Sequence, residues 1–270
     1  MLFCLQINSI KYCIFIKELN KTNKIVNFLD IKINVLTSDE IVEKILEFAL
    51  NGRSKMITYL NANCVNTAFK DEDYRNTISK ADIVWPDGKG VGWALGFLGR
   101  PANCIHTLDF LDKLLEAGIE KNISFYLLGG KEAIIERAAR NLKKRFPTLN
   151  LLGFHHGYFT EDESRIIEEI NTLKPNILMI GMGVPKQEKW IYNHLDELEV
   201  NLYWAVGALF DILAGFYKRA PAWMINSGLE WFYRLCREPK RLWKRYLIGN
   251  FVFIYYVLSW KIKKLFFQRM

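Results

Sequence analysis

At 270 residues and 31.6 kDa, with 50% hydrophobic, 24% charged and 14% aromatic residues, the chain can bury a large core, which excludes a disordered or low-complexity polypeptide. Five cysteines (Cys4, Cys13, Cys64, Cys104, Cys236) without a CxxC spacing argue against a disulfide framework or zinc module and for a reducing compartment. The net charge of +8 is localised: residues 216–270 hold twelve Lys or Arg against Glu230 and Glu238, a balance of +10, whereas residues 1–215 balance at −2.

Residues 1–24 are mildly apolar, with no basic segment ahead of the apolar stretch and no A-x-A site behind it, so they read as an extension and not a signal peptide. Over residues 25–215, short apolar runs alternate with amphipathic stretches, the pattern of strands joined through helices. Strands are expected at 27–36, 55–60, 82–85, 123–128, 149–153, 176–180 and 201–206. Helices are expected at 38–50, opened by a Ser38 cap, and at 133–145 and 161–173, where apolar residues recur at spacings of three and four. The prediction is an α/β fold: a Rossmann-like, mostly parallel sheet sandwiched by helices, with no internal repeat. Residues 216–270 follow as a basic, aromatic helical appendage. Its composition suits an anionic membrane surface or phosphate ligands; nucleic acid has tail charge alone in its favour, with no RRM, KH, zinc-finger or helix-turn-helix pattern.

Ligands of such sheets bind at the carboxyl ends of the strands. Those ends read Tyr59-Leu60-Asn61-Ala62-Asn63, Trp85-Pro86-Asp87-Gly88-Lys89-Gly90, Leu128-Gly129-Gly130, Gly153-Phe154-His155-His156-Gly157-Tyr158, Gly181-Met182-Gly183-Val184-Pro185-Lys186-Gln187-Glu188 and Gly207-Ala208-Leu209-Phe210-Asp211. Gly129-Gly130 and Gly183 stand between strand and helix, where glycine either lets backbone N–H groups approach a phosphate or serves a tight turn. Pro185 suits a first helical turn. Neither glycine pair matches G-x-G-x-x-G or Walker A, which demotes a dinucleotide oxidoreductase. Asp87 puts a carboxylate at the mouth of the crevice, and Asn61, Asn63, Gln187 and Glu188 are candidates for orienting sugar hydroxyls. Lys186 and Asp211 complete the substrate-binding candidates at these ends. Asp71-Glu72-Asp73 has the DxD lettering of a metal site, but it follows a helical stretch and reads as a solvated helix face. His155 and His156 are expected on opposite faces, and His106 and His194 stand isolated, so no catalytic metal or cofactor is inferred.

Taken together, Pro86-Asp87-Gly88, Leu127-Leu128-Gly129-Gly130, His156-Gly157-Tyr158-Phe159, the run from Gly183 to Trp190 (GVPKQEKW), the run from Gly207 to Gly215 (GALFDILAG), Arg219-Ala220-Pro221 and the run from Gly228 to Leu235 (GLEWFYRL) resemble the WecG/TagA/CpsF glycosyltransferases, also called glycosyltransferase family 26. The resemblance runs from about residue 27 to 245. It implies an inverting, metal-independent transfer of N-acetylmannosamine or a related hexosamine or uronic acid from UDP. The implied acceptor is a polyprenyl-diphosphate-linked GlcNAc on the cytoplasmic membrane face, in teichoic acid, capsule or common antigen synthesis. It also implies Asp87 as the catalytic base, Asn61 and Gln187 in the active site, and Arg234, Arg237 and Arg241 as arginines of the appendage. Where the family has Thr-Pro-Asn this chain has Tyr59-Leu60-Asn61. Where the family has Glu-Arg-Val-x-Gly-x-Asp it has Asn103-Cys104-Ile105-His106-Thr107-Leu108-Asp109, keeping only Asp109. The arginine missing at Cys104 points to a changed sugar; a UDP-sugar-binding, membrane-recruited protein without the chemistry is the alternative.

In the tail, Arg234, Arg237, Arg241 and Lys244 or Arg245 recur at three and four residues and form one basic face, with Pro239 expected to split the helix. Residues 247–260 are nearly all apolar, yet 14 helical residues span only about 21 Å, short of the roughly 30 Å hydrocarbon core. With Lys and aromatic residues flanking them, they are expected to be a monotopic anchor; ordinary core packing is the competing expectation. Partners are then a UDP-sugar, a lipid-linked acceptor and the inner membrane surface, with no nucleic acid and homo-oligomerisation left open.

Overall fold

The structure, a computed structural model, describes residues 25–51, 53–159 and 162–267. The extension expected over residues 1–24 lies outside them. Runs such as Ile-Leu-Met-Ile at 177–180 have no polar side and are stable only with both faces covered. They form the centre of a six-stranded, wholly parallel sheet made of β3 (Lys55–Leu60), β4 (Ile83–Pro86), β5 (Ser124–Gly129), β6 (Asn150–His155), β7 (Ile177–Gly181) and β8 (Leu202–Ala205). The spatial order is β4-β3-β8-β7-β5-β6. β3 and β4 wind toward one edge and β5 and β6 toward the other, with β7 and β8 filling the middle, so the chain reverses its winding beside β8.

Alternate residues of each strand face opposite helical layers. Phe125 and Leu127 pack against α1 (Ser38–Asn51), α5 (Leu111–Glu120), α6 (Glu132–Arg145) and α9 (Leu209–Leu213). Tyr126 and Leu128 pack against α7 (Glu163–Leu173) and α8 (Lys186–Asn193). A third cluster lies beyond β3 and β4, where α2 (Ala62–Lys70), α3 (Glu72–Ser79) and α4 (Lys89–Phe97) meet the N-terminal hairpin.

That hairpin corrects the single strand expected over 27–36. The segment is β1 (Ile25–Phe28) and β2 (Ile31–Asn34), antiparallel to each other and outside the main sheet. Leu29 and Asp30 at its tip both adopt positive φ, 52° and 64°, the geometry of a two-residue hairpin turn. Asn34 ties it to the sheet by accepting from the Val84 N–H at 2.9 Å. The helix begins at Ser38 as expected, but Thr37, not Ser38, is the cap, because Glu40 stands three residues after it and closes a reciprocal capping box. Pro185 likewise precedes the helix, at its N-cap, rather than lying in its first turn.

The C-terminal part comprises α10 (Ala222–Asn226), α11 (Glu230–Arg237), α12 (Pro239–Trp243), a π-helical turn (Lys244–Ile248) and α13 (Gly249–Phe267). Pro239 does split the helix, standing at N1 of α12. Phe253 and Val257 of α13 are buried in the same cluster as the hairpin, Tyr256 stacks on Phe69 at 4.0 Å, and the Gly249 carbonyl accepts from Asn66. The opposite face, from Phe251 through Ile254, Tyr255, Leu258 and Ile262 to Leu265, is exposed. Among the described residues, no helix is long and apolar enough to cross a membrane.

Candidate active site

The carboxyl ends of β3 and β4 carry Asn61 and Asp87. Asn61 caps α2 by accepting from the Asn63 and Cys64 N–H groups, which leaves its amide NH2 aimed at Asp87 Oδ2, 3.5 Å away. The Asp87 N–H is fixed by the Leu60 carbonyl, and Gly88, at φ 81°, turns the chain immediately into α4. Asp87 keeps 22% of its side-chain surface exposed and opens onto a cavity of about 570 Å³.

The cavity has two ends of different chemistry. Around Asp87 stand Asn61, Asn63, Lys89, His106, Glu230 and Arg234. Away from it the walls are Val91, Trp93 and Phe97 of α4 facing Phe253, Val257 and Leu258 of α13.

His106, which sequence spacing leaves isolated, is in fact the nearest partner of Asp87: its Nδ1 lies 2.7 Å from Asp87 Oδ1, and its Nε2 lies 3.5 Å from Glu230 Oε2 on α11. Burial disfavours the charged imidazole, but Asp87, Glu230 and Asp109 outweigh it and push His106 up to about 9. Burial likewise opposes ionisation of Asp87. The His106 imidazolium, then Asn61 and Arg234, prevail and hold its carboxyl below the usual range. Asp109 accepts from the His106 N–H at 3.2 Å and pairs with Arg219, so it holds the turn that carries His106. Cys104 is packed against Gly92, where an added Cβ would lie 2.8 Å from its sulfur.

The remaining strand-end residues sit elsewhere. Gln187 and Glu188 are fully buried. The Gln187 carbonyl accepts from the Gly183 and Gly207 N–H groups, and its amide donates to Glu188 Oε1, which also accepts from Thr58. Both therefore brace the floor beneath the crevice and have no surface facing it. Burial pushes Glu188 up to about 7. Lys186 donates to the Gly157 carbonyl, latching a neighbouring loop. The Gly130 N–H donates to Gly181, and the Gly129–Gly181 approach is so close that a Cβ on Gly129 would sit 2.5 Å from backbone. Asp211 lies where Arg241, Glu238, Arg234 and Lys131 act on its charge; burial, the largest influence, raises it. Arg237 stacks on Tyr233, and Arg241 pairs with Glu238 over Tyr217, so neither lines the Asp87 cavity.

Asp71 of the DxD lettering caps α3 by accepting from the Tyr74 N–H and pairs with Lys189. His155 and His156 do not diverge; the chain leaves the strand at His155 and their rings approach to 4.3 Å.

Residues 26–266 match the model of the glycosyl transferase WecG/TagA/CpsF family. The chain belongs to this glycosyltransferase family. The match reaches through α13, beyond the limit near 245 set by motifs alone. The N-acetylglucosaminyldiphosphoundecaprenol N-acetyl-beta-D-mannosaminyltransferases of Staphylococcus aureus strains MW2 and NCTC 8325 / PS 47 are each 30% identical to it over 252 residues, 92% of this chain and 98% of theirs. Within the family signature, sequence reading missed His106, Lys89 and Glu230. The signal for His106 was the exchange inside one motif, a cation lost at Cys104 and a titratable ring gained two residues later; Lys89 and Glu230 had no such signal.

Proposed function

We propose that this glycosyltransferase moves N-acetylmannosamine, or a closely related hexosamine or uronic acid, from UDP to a GlcNAc-type sugar on a polyprenyl diphosphate, with inversion. The observation that carries the reading is the two-ended cavity, a carboxylate at one end and an apolar slot at the other. Such a shape suits an acceptor that is a sugar diphosphate at its head and a hydrocarbon along its tail. The names of the staphylococcal relatives point to the same acceptor and donor.

Asp87 is the general base. It takes the proton of the acceptor hydroxyl as that oxygen bonds the anomeric carbon, and the carbon–oxygen bond to UDP breaks with its electron pair leaving on the diphosphate. Arg234, which lines the cavity, and Lys131 and Arg241, which with it act on Asp211, are the cations available to offset the charge that grows on the diphosphate. Lys89 and His106 beside Asp87 keep the region cationic despite Cys104, which favours retained chemistry over a binder that has lost it. The exposed face of α13, with Trp93 and Phe97 of α4, seats the protein on the inner membrane surface where the acceptor resides.

The test is Asp87→Asn with UDP-N-acetylmannosamine and a lipid-diphosphate-GlcNAc acceptor, product read by mass. Turnover is expected to fall by about two to four orders of magnitude with donor affinity within a few-fold. Near-normal turnover would remove Asp87 from the mechanism.

A further inference from the structure

The family signature leaves the position of His106 open, yet here its imidazole bridges the base and the C-terminal helices. Asp87 Oδ1 is occupied by His106 Nδ1 at 2.7 Å, whereas among the described residues Oδ2 has only the long 3.5 Å contact to Asn61. His106 is itself held from two sides. Glu230 of α11 stands 3.5 Å from Nε2, and Asp109, clamped by Arg219, accepts its backbone N–H.

We propose that His106 is a positioning residue: it binds one oxygen of Asp87 so that the other faces the acceptor hydroxyl, and Glu230 holds the ring so that the base is set when α11 is seated. The inference rests on the reading of Asp87 as the base. The charged groups around the pair are Asp87 at the end of β4, Lys89 of α4, Asp109 and Arg219 at the turn, and Glu230 and Arg234 of α11. Of these, the imidazolium does most to offset the burial that works against Asp87 ionisation. Its loss therefore raises the pH at which the base protonates and fails.

His106→Gln keeps a neutral N–H donor of similar reach and removes the charge. Wild-type kcat/KM should be flat between pH 5 and 8, whereas the variant's acid limb should move up by about one unit or more, so that its profile declines toward pH 5. At pH 7 its kcat should fall roughly ten- to a hundred-fold, with KM for the donor within about three-fold. A folded variant with wild-type kcat and a flat profile would overturn the inference. If the variant does not fold, ring titration by NMR decides the matter in Asp87→Asn, since the chain has only four histidines. The His106 midpoint should drop from about 9 by at least two pH units in that variant; an unchanged midpoint would overturn the proposal. If Asp87→Asn turns over normally, the base reading itself fails. If that variant is inactive while His106→Gln behaves as wild type, only the role of His106 fails.

Discussion

Two carboxylates near the ends of neighbouring elements meet opposite electrostatic fates. Asp87, paired with His106, is held ionised, whereas Glu188 is buried, one of its oxygens has no hydrogen-bond partner among the described residues, and it is pushed up to about 7. A buried acid whose pKa is raised on folding binds more protons folded than unfolded between its ordinary value, 4.5, and about 7. Stability therefore declines as pH rises through that interval. Glu188→Gln removes the charge and keeps a carbonyl to accept from Thr58. The melting temperature of this variant relative to wild type should become more favourable by several degrees from pH 5 to pH 8, measured by calorimetry in both buffers. A constant difference across that range would show that Glu188 binds its proton alike in the folded and the unfolded chain, so that burial does not raise it. Asp before Gly is also a common turn pair, and what pointed to Asp87 was its company of Asn61, Asn63, Gln187 and Glu188 at the other strand ends. Residue type could not distinguish Asp87 from Glu188 in exposure, because Glu188 sits one helical turn into α8, and helix rotation decides which side faces the crevice.

At the scale of elements, the central strands were legible because apolar runs of four to six residues need two covered faces, and those at 55–60, 176–180 and 201–206 lie within about one residue of β3, β7 and β8. The N-terminal hairpin was not: its turn uses Leu29-Asp30 where Asn-Gly or Asp-Gly would have signalled it, and Leu29 is buried in this positive-φ conformation. α4 was missed as well, since Lys-Gly-Val-Gly-Trp-Ala-Leu-Gly-Phe shows little amphipathic period. The Gly129-Gly130 turn was legible as a turn, and its tightness has a cause in the sheet: β5 and β7 converge until the Gly129 Cα lies against Gly181, whose own added Cβ would meet Phe210 at 2.6 Å. Gly129→Ala, at φ 144° and 2.5 Å from backbone, should cost at least about 2 kcal/mol and lower the urea midpoint accordingly. An unchanged midpoint would mean that the strand ends separate freely, and the glycine pair would then be reassigned to ligand contact alone.

For the whole molecule, the question is what covers the outer face of α13. Packing answers half of the original alternative: Phe253 and Val257 are core, so the helix is fixed to the body on one side. On the other side, Phe251 is 76% exposed and Tyr255 66%, with Ile262 in line and Lys261, Lys263 and Lys264 at the distal end. The excess of ten positive charges in residues 216–270 lies on the same part of the chain. Truncation after Tyr246 is a poor test, because it would strip one wall from the cavity and uncover the cluster shared with the hairpin. Replacing Phe251, Tyr255 and Ile262 together with Ser leaves both intact. Each side chain is worth up to about 1.5–3 kcal/mol when fully buried, so even half-immersion of three predicts at least a ten-fold loss of vesicle binding. Sedimentation with phosphatidylglycerol vesicles should show that loss, with the melting temperature and UDP-sugar affinity unchanged. Transfer to a vesicle-borne acceptor should fall with it, and transfer to a short-chain soluble acceptor should persist. A folded triple variant that binds vesicles as the wild type does would rule out the membrane as the surface that α13 faces.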